Sequence, residues 1–201
     1  MKIKTFEDKE QWLEARRGKI TGSRLKNIVV KRGTGEKIGY YELIAERIAT
    51  TPENENAMER GTRLEEEAIE EYSKVINKEI DTSLVIWERE DNQGIAISPD
   101  GFISDTEAVE IKCLSSARHI EAKLTGNYPK DYYEQIMQYF IVNDKLETLH
   151  FVMYDPRMPK NLQFVVFKIN RQDIEKEIKE LHEYQTSKLE EINRIVNELT
   201  F

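Results

Sequence analysis

The residues whose types and spacing can do chemistry are Asp100, in Ser98-Pro99-Asp100-Gly101, and the pair Glu110 and Lys112, in Glu110-Ile111-Lys112. Side chains alternate across a strand, so Val109 and Ile111 fall on one side of Ala108–Cys113 and Glu110 and Lys112 on the other. On that shared face, carboxylate and ammonium stand about 7 Å apart along the strand. Asp100 ends the preceding turn, and comes back beside Glu110 if residues 101–109 form a hairpin return. Two carboxylates held together repel unless a cation lies between them. Oxygen ligands without dedicated nitrogen or sulfur point to Mg²⁺ or Mn²⁺. A lysine beside such a cation helps hydroxide form and steadies a crowded phosphate, which is the chemistry of phosphodiester hydrolysis. The same letters also describe an ordinary strand with a surface Glu–Lys ion pair, and at this point both readings stand.

Two more polar residues bear on the choice. Glu65, in the helical stretch Gly61–Tyr72, shares the side of Ala68, Ile69 and Tyr72, while Glu66, Glu67, Glu70 and Glu71 point outward. An acid on an inner face needs a reason: a metal is one, a place at the rim of the apolar stripe is another. Gln135 lies with Tyr132 and Tyr139 on one side of a helix expected at 130–142, placed to orient a water or a carboxylate, or to bond backbone. His119, His150 and His182 have no metal-like spacing and read as surface or packing residues. Cys113 reads as a buried thiol.

These residues must be held by a scaffold that changes period along the chain. Helices are expected at 7–17, 22–30 and 38–50, followed by a longer one from Pro52 towards Asn77. Val- and Ile-rich runs at 82–88, 94–98 and 107–113 read as strands broken by Asn92–Gly94 and Pro99–Gly101. After the helix at 130–142 come strands at 147–154 and 162–169, then a long charged helix, 173–199. Ile174, Ile178, Leu181, Leu189, Ile192 and Val196 recur along that last helix at roughly helical spacing. The expected fold class is α/β: one domain over 1–201, a small central mixed sheet flanked by helices, and a long C-terminal helix.

Composition narrows the class. With 39% hydrophobic and 34% charged residues in a chain of 201, a polar globular protein is expected. No apolar run reaches the roughly 18 residues of a membrane span, and residues 1–30 carry no signal-peptide pattern, so a cytoplasmic protein without membrane partners is expected. A single cysteine excludes an intramolecular disulfide and a cysteine-rich zinc site. The net charge of −8 hides an asymmetry: residues 1–40 carry 11 Lys or Arg against 5 Asp or Glu, the remainder 19 against 33. A basic lobe on an acidic body suits a polyanion held in one place, and the Lys31–Lys37 loop is a candidate phosphate contact.

The order Glu65, Asp100, Glu110-x-Lys112, Gln135 resembles the PD-(D/E)XK nuclease superfamily and, within it, the lambda-type phage exonucleases and their YqaJ relatives. Supporting segments are Trp12–Arg16 with Gly18–Ser23, Arg60-Gly61-x₃-Glu65, Ser98–Gly101, Glu110–Cys113, Tyr132–Gln135 and Tyr154–Met158. The resemblance implies that Asp100, Glu110 and the main-chain carbonyl of Ile111 bind Mg²⁺, with Mn²⁺ a substitute, and that Glu65 serves a second metal. It implies that Lys112 activates the attacking water, that Gln135 positions it, and that Arg16, Ser23 and Ser98 hold a 5′-phosphate. A family aspartate ten residues before Asp100 falls here at Glu90, beside Asp91.

The implied activity is a 5′-to-3′ exonuclease on double-stranded DNA ends that leaves a 3′ overhang. The resemblance also implies a ring-shaped homotrimer, a phage single-strand annealing protein as partner, and the cytoplasm of a bacterial host or prophage carrier. An endonuclease on the same core and a catalytically silent DNA-end-binding protein are the alternatives. The first is weakened by the lack of a recognisable DNA-reading module, the second by the intact set of Asp100, Glu110, Lys112 and Gln135.

Overall fold

The computed structural model describes Gln11, residues 35–49 and residues 57–200. Arg16, Ser23, Pro52, residues 31–34 and the helix expected at 22–30 lie outside them, as does all but Gln11 of the one expected at 7–17. The chain divides into two compact units.

In the first unit, α1 (Ile38–Ile48) buries Tyr41 and Ala45, four residues apart and therefore on one face. Through them it packs on Ala117 and Ile120 of α3 (Ser116–Thr125) and on Met158. Ser115 caps α3 at its start, accepting from Arg118 N. Gly126 ends it in the left-handed region at φ 67°, a conformation that favours glycine. The Tyr154–Met158 segment builds a buried polar knot: Asp155 accepts from Ser116 Oγ at 2.6 Å and from Arg157 Nε and Nη2 at 2.9 and 3.1 Å. That aspartate is fully buried, so these donors offset its loss of water.

The second unit holds most of the sheet. Its order is β3 (Gly101–Ser104), β4 (Glu107–Lys112), β5 (Thr148–Tyr154), β6 (Phe164–Asn170), and the first two pair antiparallel. The helix α2 (Ala57–Ile76) buries Leu64, Ala68, Ile69 and Tyr72, a stripe at helical spacing, and Asn77 follows it with φ 51°. After α2 the chain forms a two-stranded antiparallel ribbon of β1 (Trp87–Glu88) and β2 (Ala96–Ile97). The strands expected at 82–88 and 94–98 thus shrink to two residues each. Leu84 and Ile86 stand exposed, and Asn92 spends the next residues on a turn, accepting from Gly94 N at 3.0 Å. A strand without a partner for its backbone leaves its N–H and C=O groups to water.

The helix α4 (Tyr133–Val142) is almost wholly apolar on its packed faces: Ile136, Met137, Tyr139 and Phe140 are fully buried. Each such apolar side chain stabilises the fold by about 1.5–3 kcal/mol. Residues 130–132, expected to be helical, form a 3-10 turn instead, as do 160–162 at the start of the expected strand 162–169. The C-terminal helix α5 (Glu175–Thr200) packs on α4, burying Ile178 and joining Gln185 to Gln138 at 3.0 Å. The architecture is α/β, a central mixed sheet flanked by helices and closed by a long C-terminal helix. No helix among the described residues is long and apolar enough to cross a membrane.

Candidate active site

The hairpin of β3 and β4 decides the site. Its register pairs Gly101 with Val109, which brings Asp100 back against Glu110. Glycine is required after Asp100 because the chain passes Ile80 closely: a Cβ at Gly101 would stand 2.6 Å from Ile80 Cγ2. Asp100 is fixed in turn by the backbone, since its Oδ2 accepts from Ile111 N at 2.7 Å. The hairpin return on which the Asp100–Glu110 encounter depended is therefore present.

Glu110 has 0% exposure, and its carboxylate is gripped from several sides. Lys112 Nζ and Gln135 Nε2 both donate to Oε1, the latter at 2.6 Å, and Tyr139 Oη donates to Oε2. Burial, and then the Asp100 charge, push the Glu110 carboxyl up to about 7. Burial raises Asp100 too, against the pull of the Ile111 N–H and of Lys112. Burial works against the Lys112 charge, yet Glu110 holds its pKa above the ordinary lysine value. The ammonium lies 5.3 Å from the centroid of the Tyr132 ring.

Glu65, on α2, is half-buried. Desolvation raises its carboxyl first, the Asp100 charge adds to the rise, and Lys112 opposes it. It thus faces the same charges as the hairpin residues. Among the described residues, no group of three or more His, Cys, Asp or Glu forms a ready-made metal cluster. What the site offers is the buried Glu110 carboxylate, whose charge the neighbouring half-buried Asp100 opposes, a hard-oxygen donor set. It fits a cation such as Mg²⁺, which keeps several waters and takes one or two protein carboxylates.

Other sequence candidates fall elsewhere. Ser98 is exposed, two residues before Asp100. Asp91 pairs with Arg89 Nε at 2.6 Å, and Arg89 also binds Ile141 O and Asp144, so this acid belongs to a clamp on the end of α4. Glu90 is exposed. His119 is buried with Nε2 2.8 Å from Leu162 O, and His150 and Cys113 are buried. The sequence reading assigned no role to Tyr139, although its place four residues after Gln135 puts both on one helix face. A tyrosine inside an otherwise apolar stripe needs a partner for its hydroxyl, and that was the available signal.

A central sheet flanked by helices, with a carboxylate pair and a lysine on one hairpin and a helix glutamine reaching to them, defines a nuclease fold. Residues 11–146 match the YqaJ-like viral recombinase domain, and the chain belongs to that family. It is similar to the crystal structure of an alkaline exonuclease, LHK-Exo, from Laribacter hongkongensis. Identity is 30% with a TM-score of 0.57, over 94% of this chain and 99% of that one. The same exonuclease in complex with dAMP matches at 30% identity and a TM-score of 0.55, with the same coverage of both chains. No match is found among curated proteins.

Proposed function

We propose that this protein is a Mg²⁺-dependent exonuclease, with Mn²⁺ able to substitute. In this reading it digests one strand of double-stranded DNA from a 5′ end and leaves a 3′ overhang for recombination by strand annealing. The observation that carries the reading is the buried Glu110 carboxylate with half-buried Asp100 and Lys112 beside it, in a member of the YqaJ-like family. The relative's description as an alkaline exonuclease favours exonuclease over endonuclease, and its dAMP complex supports a site sized for a deoxynucleoside monophosphate.

Asp100, Glu110 and the main-chain carbonyl of Ile111 would hold the cation, and Glu65 would face a second. A divalent cation supplies a water of lowered pKa and neutralises phosphate charge. Around it Lys112 keeps a fixed positive charge for the crowded phosphate. Gln135 and Tyr139 hold the Glu110 carboxylate in one orientation, and Gln135 helps to position the attacking water. Polarity comes from end recognition: Arg16, Ser23 and Ser98 would bind the terminal 5′-phosphate, with Ser98 anchoring it next to Asp100. The working form in this reading is a homotrimeric ring around DNA, in the cytoplasm of a bacterial host and beside a phage single-strand annealing protein.

The test is one gel with linear and closed-circular duplexes, in Mg²⁺ or in EDTA. Progressive Mg²⁺-dependent loss of linear DNA from 5′ ends is expected. Cutting of closed circles would point to an endonuclease, and a mobility shift without cleavage to an end-binding protein.

A further inference from the structure

A buried polar chain lies outside the carboxylate site and joins the two elements that carry it. Tyr72, on α2, has its hydroxyl 2.9 Å from His150 Nδ1, and both residues are 1% exposed. The other ring nitrogen, Nε2, lies 2.9 Å from Glu107 Oε1, an ion-pair distance bent away from straight hydrogen-bond geometry. Glu107 is the first residue of β4 and is braced by Lys78 Nζ at 2.5 Å. Packing alone does not require this arrangement, since apolar side chains would fill the same space without the cost of desolvating an imidazole and a phenol.

Directional contacts do what apolar ones cannot. Leu64, Ala68 and Ile69 hold α2 down by burial, which is non-directional and tolerates sliding along the helix axis. The Tyr72–His150 bond fixes that axial register. Glu65 lies seven residues before Tyr72, two turns or about 10 Å along the same face. Among the described residues none donates a hydrogen bond to Glu65, so its place opposite Asp100 and Lys112 is set by the seating of its helix. Glu107 closes the frame, being three residues from Glu110 on the same strand.

We propose that Tyr72 and His150 are positioning residues that lock α2 to β4 through Glu107 and thereby set Glu65 against the Asp100–Glu110 pair. The proposal rests on the reading of those carboxylates as a cation site. The experiment is a calorimetric titration of Mn²⁺ into the full chain without DNA, run beside cleavage assays. Its variants are Tyr72→Phe, His150→Gln, Glu65→Gln and the double variants with Glu65→Gln. Tyr72→Phe should weaken Mn²⁺ binding about 10-fold, the lower end of losses for partners that orient a ligand. In the Glu65→Gln background the same change should cost nothing further, because the residue it positions is already lost. His150→Gln should reproduce the pattern, and decides the matter if Tyr72→Phe does not fold. Parental Mn²⁺ affinity in either folded variant, or an equal loss in the Glu65→Gln background, overturns the proposal. Coupled Mn²⁺ binding in a protein that cuts no DNA supports the positioning role while removing the nuclease reading.

Discussion

The hydroxyl of Tyr139 donates to Oε2 of Glu110 inside the second unit, and both residues are 0% exposed. Gln135, one turn earlier on α4, donates to the other oxygen of the same carboxylate at 2.6 Å. A carboxylate held at both oxygens cannot rotate, so the direction in which it offers a lone pair is set by α4. Outer partners of this kind typically account for 10–100-fold in metal affinity or activity. Tyr139→Phe keeps the ring against Trp87, 6.3 Å away between centroids, and removes only the donor. The variant should fold, and its cleavage rate at limiting Mg²⁺ should fall by about tenfold or more. A parental rate across the Mg²⁺ titration would show that Tyr139 is core packing alone.

Asp100→Asn and Glu110→Gln each take a formal charge from a site with few protein ligands. Each should nearly abolish cleavage while DNA-end binding, read by mobility shift, survives or tightens, since negative charge near the phosphate is gone. Lys112→Ala should lower turnover by about two orders of magnitude or more, typical of losing one preorganised charge-stabilising group. Lys112→Arg should not restore it, because a planar guanidinium does not fit the place of a compact ammonium. Near-parental turnover in any of the first three would remove that residue from the site.

End recognition predicts a several-fold preference for 5′-phosphorylated over 5′-hydroxyl duplex ends. A terminal phosphate carries up to one more negative charge than a phosphodiester, and a forked guanidinium such as that of Arg16 grips two of its oxygens. Arg16→Ala and Ser98→Ala should erase most of the preference and slow hydroxyl-ended substrate far less. Equal parental rates on both ends would exclude the pocket.

Asp91→Ala should leave the rate within about twofold. The aspartate is exposed, and its partner is Arg89 rather than any residue of the carboxylate site, so water screens most of what its charge contributes. A large loss of activity, at unchanged thermal stability, would return this acid to the catalytic machinery.

Acid should destabilise the protein through His150. Burial holds the His150 imidazole below its ordinary value of 6.5, Lys168 and Lys78 add to that, and Glu107 opposes it. The Tyr72 hydroxyl is the remaining neighbour. On acidification the unfolded chain binds the proton first, so the stability is complete above the ordinary value and is lost as pH falls through the lowered one. The thermal midpoint should therefore drop further between about pH 7.5 and pH 5 for the parent than for His150→Gln, by about 2–4 °C per kcal/mol lost. Equal drops would show that His150 titrates freely.

Local periodicity made much of the scaffold legible from the sequence. Alternation put Glu110 and Lys112 on one face of β4, and the helical repeat put Glu65 on the side of Ala68, Ile69 and Tyr72. The long C-terminal helix was readable from its own repeat. These patterns are properties of one element, set by backbone geometry within a few residues. The tertiary structure decided which elements meet. Tyr139 reaches Glu110 across 29 positions of sequence, and Tyr72 reaches His150 across 78. The run 82–86 has the letters of a strand, yet among the described residues it pairs with none, the isolated bridge to Phe102 belonging to Asp81 just before it, because a ladder needs a second backbone alongside. Propensity within a segment does not encode that neighbour; closure of the chain around the core does.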